Sequence, residues 1–161
     1  MSSCQDKQAM ADLENLKTQI ELEDHNKALV LEWIEQWDLG NFSIADKVIA
    51  DEFILHMPGG VEVKGAKEFI EAGEPLRIGF PGFKHSIEDV FAKEDMVVIR
   101  ASYRLIHNGE FLGIPPSGKQ VQSTVIAIYK FKEGKCVEMW VESDNLGMMQ
   151  QLGLELRPID K

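Results

Sequence analysis

The sequence predicts an α+β domain built as a cone: a strongly curved antiparallel or mixed sheet, about three N-terminal helices on its concave face and a short C-terminal helix. Three observations lead there. Apolar residues recur at helical spacing up to about residue 50 and at the two-residue period of strands from Glu52 onward. Two of the later strand patterns, 96–107 and 119–132, would each be about 40 Å long if flat at roughly 3.3 Å per residue. A domain of 161 residues is itself only about 40 Å across, judged from an expected radius of gyration near 15 Å. Such a sheet has to curl, and helices laid on its hollow side enclose space.

Each element follows in order. Ala9, Leu13, Leu16 and Ile20 form one narrow helical stripe within residues 1–23, read as a helical arm docked on the body or on a partner. Asp24 is expected to cap a second helix, with Leu29, Val30, Trp33, Ile34 and Trp37 inward and Gly40 as its stop, opening a single domain over 24–161. Ser43 is expected to cap a short helix bearing Ile44, Val48 and Ile49. Phe53, Leu55 and Met57 then alternate with Ile54 and His56, and Gly59-Gly60 turns the chain into a short partner strand. A third helix places Phe69 and Ile70 inward, and from Phe83 strands alternate with turns near 93–95, 108–118 and 133–134, with Phe83, His85, Ile87 and Phe91 on one apolar alternation.

Alternation also assigns faces. Val97, Ile99, Ala101, Tyr103, Leu105 and His107 share the concave side with Val121, Ser123, Val125, Ala127, Tyr129 and Phe131, and with Val137, Met139, Val141 and Ser143. The outer face mixes Val98, Ile126, Ile128, Cys136 and Trp140 with charged residues, which implies a covered surface and a homodimer around Trp140.

Composition narrows the function. A formal net charge of −10 opposes nucleic acid, and Lys130, Lys132 and Lys135 read as a solvated hairpin. No apolar run approaches the roughly 20 residues that span a bilayer, and the start MSSCQDKQ lacks the pattern of a secretory signal, so a cytoplasmic, membrane-free protein is expected. Cys4 and Cys136 form neither a disulfide framework nor a metal spacing. His56, His85 and His107 have no short ligand spacing, so no metal site is expected.

The segments NGEFLGIPPSGK at 108–119, IYKFKEGK at 128–135 and MWVESDNLGMMQQLG at 139–153 resemble the SnoaL-like polyketide cyclases, of the nuclear-transport-factor-2-like superfamily of cone folds. The likeness extends upstream through NKALVLEWIEQWDLGN and ADEFILHMP, to about residue 24. It implies cyclase chemistry by a His and an Asp on the last two strands. Aligned on the GIPP loop and the Glu-Gly-Lys turn, those positions fall at Ala127 and Val141, which transfer no proton.

Other residues then carry the acid–base expectation. Asp144 could act as a base or simply cap the last helix. His107 could orient a carbonyl or donate a proton, or bond the GIPP loop. His56 could line the pocket entrance, and Tyr103 could act as an oxyanion donor. Trp33, Trp37, His85, Ala127, Tyr129, Met139 and Val141 are expected to line the pocket. The leading expectation is a cofactor-free cyclisation, isomerisation or dehydration of a small, hydrophobic, carbonyl-bearing compound. The alternatives are a non-catalytic binder of a hydrophobic metabolite and a structural dimer with a filled interior.

Overall fold

The computed structural model describes residues 2–155 and 157. Met1 and the last residues of the expected domain, 156 and 158–161, lie outside the described residues. A single helix, α1 (Ser2–Asp38), spans the expected arm and the helix after it. The break expected at Asp24 is absent. Its carboxylate pairs with Lys27 at 2.7 Å instead of capping, and no Gly or Pro lies near enough to interrupt a helix that is already propagating. Residues 6–18 are exposed, whereas Leu29, Val30, Trp33 and Ile34 are buried. The helix meets the body where Glu23 accepts the backbone N–H of Glu94 at 2.8 Å.

Next comes α2 (Ala45–Val48), which Ser43 does not cap: Ile44 holds that position, while the Ser43 N–H donates to the Asn41 side chain at 3.2 Å. Ile49 belongs to the first strand. The order continues β1 (Ile49–Met57), β2 (Val61–Lys64), α3 (Gly65–Ala72), α4 (Glu74–Gly79), β3 (Ser86–Lys93), β4 (Met96–Ile106), β5 (Gln120–Lys132), β6 (Lys135–Ser143) and α5 (Asn145–Leu152). The turn α4 was not anticipated from the sequence, although Pro75 in its first turn is a start signal.

The six strands form one mixed sheet in the order β2-β1-β6-β5-β4-β3, with β1–β6 its parallel pair. The long pair β4–β5 stays in register from Met96↔Lys130 to Ile106↔Gln120, so side chains keep strict alternation along it. Val97, Ile99, Ala101, Tyr103 and Leu105 are buried on one face, with Val121, Val125, Ala127, Tyr129 and Phe131 beside them. Burying each large side chain of this set contributes roughly 1.5–3 kcal/mol.

Two bulges correct the expected faces. In β6, Lys130 pairs with Glu138 but Phe131 pairs with Cys136, so Val137 is an extra residue and Cys136 turns inward, 2% exposed, rather than outward. In β3, Ile87 pairs with Ala101 but Asp89 with Arg100, so Glu88 is extra; Val90 and Ala92 then pack on the core and Phe91 points out, 64% exposed. On the convex side His56, Trp140, Ile128, Val98 and Phe91 are directly paired across five strands. Among the described residues no helix is long and apolar enough to cross a membrane.

Candidate functional site

A cavity of about 430 Å³ lies between the concave sheet face and helices α1, α3, α4 and α5. Its wall is apolar and aromatic. Trp37 stacks on Phe69 at 4.9 Å and 22°, and Trp33 tilts against both at 5.8 Å. Met57, Met139, Met148 and Met149 add unbranched, adaptable surface. No Lys, Arg, Asp or Glu side chain among the described residues lines it. Trp33, Trp37, His85, Ala127, Tyr129, Met139 and Val141 all do. Ala127 and Val141 are a directly paired couple on β5 and β6 and contribute only small apolar surface.

Besides Asn145, two sets of polar groups interrupt this wall. The first is His85, just before β3, whose Nδ1 lies 2.6 Å from Asp38 Oδ1 while its backbone N–H donates to Asp38 Oδ2 at 2.9 Å. The two side chains are only 14% and 10% exposed. A carboxylate accepts hydrogen bonds, so in the neutral imidazole the ring proton sits on Nδ1 and Nε2 keeps its lone pair. Among the described residues Nε2 has no protein partner, and the ring packs edge-on to Phe83 and Tyr103 at 4.8 and 5.6 Å. Asp38, the last residue of α1, was missed in the sequence: it lies 47 residues from His85 and carries no local motif.

The second group is a set of hydroxyls. Tyr103 hydrogen-bonds to Ser143 and Ser123, and all three line the cavity. Burial pushes the Tyr103 phenol above its ordinary value of 10.0, although both serine contacts pull the other way, so it is a neutral donor at physiological pH. Ser123 donates its own proton to the Asp144 carbonyl at 3.2 Å, so the Tyr103 O–H faces Ser123 and the Ser143 O–H faces Tyr103, and a ligand oxygen takes one of these two protons in exchange for a bond within the set. Tyr129 is also held in its neutral form, chiefly by burial and then by neighbouring Cys136.

Three expected proton carriers lie off the cavity wall. His56 is on the convex face, because β1 alternation opposes it to Leu55; it stacks on Trp140 at 5.3 Å and bonds Glu138 at 2.9 Å. Asp144 caps α5 through the Gly147 N–H at 2.8 Å and is exposed. His107 is fully buried, with Nδ1 3.0 Å from the Ser117 hydroxyl and its carbonyl accepting from the Ser117 and Gly118 N–H groups. It braces the GIPP loop from below. Neighbouring Gly109 is equally constrained, since a Cβ there would sit 1.9 Å from the Ile78 carbonyl oxygen. Among the described residues no three His, Cys, Asp or Glu side chains gather as a metal-holding group.

Residues 27–152 match the family described as SnoaL-like polyketide cyclase. The chain belongs to the SnoaL-like polyketide cyclase family. Solved structures agree with the cone. A SnoaL-like polyketide cyclase candidate from Jannaschia sp. CCS1 superposes with a TM-score of 0.75 at 25% identity, covering 84% of this chain and 96% of that one. IdmH, a candidate polyketide cyclase from Streptomyces antibioticus, gives 0.72 at 25% identity over 80% of this chain and 99% of its own. AclR, a candidate hydroxylase from Streptomyces galilaeus, gives 0.74 at 26% identity over 84% and 86%. No curated protein matches the chain. The SnoaL-like match begins at residue 27, so the exposed first half of α1 lies ahead of it.

Proposed function

We propose that this SnoaL-like protein catalyses a cofactor-free, enolate-type reaction on a small, uncharged, carbonyl-bearing hydrophobic compound, with His85 as the proton carrier. The observation that carries this reading is the Asp38–His85 pair at the edge of an apolar cavity. His85 Nε2 removes a proton from the carbon beside a carbonyl, and the electron pair moves onto the carbonyl oxygen, which takes a hydrogen bond from Tyr103 or Ser143. Asp38 holds the imidazole in the tautomer this needs and stabilises the imidazolium that forms. In an aldol closure the enolate carbon attacks a second carbonyl and the new alkoxide recovers the proton from His85. In an isomerisation, the same proton returns to a different carbon.

The absence of charged groups from the wall favours an uncharged ligand, since an ionised one would be desolvated without a partner. A volume of 430 Å³ lies above the roughly 300 Å³ lower bound of small-molecule sites, which speaks against a filled structural interior. The alternative of a non-catalytic carrier rests on the apolar floor at Ala127 and Val141. The two readings separate in one experiment. A thermal-shift screen of aromatic ketones, polyketide fragments, steroids and terpenoids supplies a binder, and NMR in D2O follows deuterium entering beside its carbonyl. The enzyme reading expects exchange with the wild type and none above background with His85→Asn; binding without exchange in either protein leaves a carrier.

A further inference from the structure

We infer that the first half of α1 is a dimerisation arm that pairs in parallel with the same segment of a second copy of this chain. Along residues 6–22 of this helix Met10, Leu13, Leu16 and Ile20 are 67%, 47%, 57% and 56% exposed, and the body does not cover them. Ala9, Leu13, Leu16 and Ile20 are spaced by four, three and four residues, the seam of a two-stranded coiled coil, with Leu13 and Ile20 at the first position of the heptad and Ala9 and Leu16 at the fourth. In phase with them, Glu23 is already bonded to the Glu94 N–H, so the seam ends where the body begins.

The flanking charges choose the occupant and its direction. In a parallel pair, the residue before each first position faces the residue five further along on the other helix. Here that sets Asp12 against Lys17 of the second copy, and symmetry repeats the contact, giving two opposite-charge pairs. The next such contact sets Gln19 against Asp24, a donor against an acceptor. An antiparallel pair would set Asp12 against Gln19 and Lys17 against Met10, with no charge match. Among the described residues of one chain Asp12 bonds only Gln8, at 2.8 Å on the exposed surface, and Lys17 has no partner. A membrane surface is a poorer occupant, because residues 6–24 carry six acidic against two basic side chains and anionic lipid repels them.

The arm is a surface separate from the convex face around Trp140, and the inference concerns the arm alone. The Trp140 ring already lies under the His56 imidazole at 5.3 Å and 15°, whereas the arm leucines are bare.

Sedimentation of the full chain across a concentration series tests the inference. Wild type should be a reversible dimer, and Leu16→Glu should weaken association at least about tenfold, a loss of about 1.4 kcal/mol, with the thermal midpoint of the body unchanged. Asp12→Lys and Lys17→Asp should each weaken self-association by setting like charges opposite. Mixed one to one, the two variants should form a heterodimer, a rescue that antiparallel arms cannot give. A monomeric wild type, a dimer untouched by Leu16→Glu, or a dimer lost only in Trp140→Glu would each overturn the proposal.

Discussion

Replacing Asp38 by Asn changes one atom's hydrogen-bonding sense at the centre of the candidate site. The Asn oxygen has to stay on the His85 backbone N–H, which Asp38 Oδ2 now receives at 2.9 Å. The NH2 then occupies the place of Oδ1, 2.6 Å from His85 Nδ1, and donates to it. His85 responds by carrying its proton on Nε2, and the base is lost. Restoring it means flipping the amide or setting two donors face to face. Either route loses one hydrogen bond and strands a buried donor, together about 2–4 kcal/mol. At 1.36 kcal/mol per decade this slows proton abstraction about 30- to 1,000-fold. Stability suffers less: exchanging a charge-assisted bond for a neutral one costs about 1 kcal/mol, or a midpoint lower by about 2–4 °C. Ligand affinity should stay within about twofold of wild type, because Asp38 does not line the cavity. Deuterium exchange beside the carbonyl of a bound ketone, measured with the ligand's dissociation constant on the same samples, reads all of this. Wild-type exchange in Asp38→Asn would refute the tautomer argument.

Three further outcomes are expected. Val141→Phe should fill the cavity floor and abolish ligand-induced thermal shifts while the fold is retained, at a cost of about 1–3 kcal/mol for overpacking, read by thermal shift with and without ligand. His56→Ala should leave the exchange rate within about twofold of wild type and lower stability by about 1 kcal/mol through lost contact with Trp140 and Glu138. Burial pushes the Cys136 thiol up to about 12, from 9.0, and raises Tyr103 and Tyr129 as well. Their stabilisation is complete below the unfolded values and is lost as pH rises toward the folded ones. Denaturation followed by circular dichroism should therefore show stability falling above about pH 9, less steeply in Cys136→Ala.

The long strands were legible because uninterrupted alternation along Met96–Ile106 and Gln120–Lys132 leaves one consistent way to face the core. That rule misled where a single extra residue shifts its phase. Neither Glu88 nor Val137 differs in type from a regular strand residue, so nothing in the sequence announced that Phe91 would turn out and Cys136 in. Asp24 misled for a related reason, since a cap residue halts a helix only when the next turn is unfavourable. The cavity wall was readable from the same alternation, from the helical stripe of Trp33 and Trp37 and from the aligned family positions, Ala127 and Val141. Asp38 was not, because its pairing with His85 exists only once α1 lies across the sheet, 47 residues away in the chain. His56 was assigned to the cavity entrance for its nearness to a turn, although its alternation already opposed it to Leu55.

The unbroken length of α1 makes it a lever. At 1.5 Å per residue its 37 residues form a rod about 55 Å long, resting near Glu23 on the turn that follows β3. About 30 Å projects on one side of this fulcrum and about 22 Å on the other, and the short end terminates in Asp38. A rod free to pivot would carry a sideways displacement of the tip to Asp38, reduced by about the ratio of those lengths, but Leu29, Val30, Trp33 and Ile34 bury the short arm in the core and resist that pivot. The Asp38–His85 contact of 2.6 Å leaves little slack. The packed half of the rod therefore keeps the carboxylate against its imidazole whatever grips the distant tip.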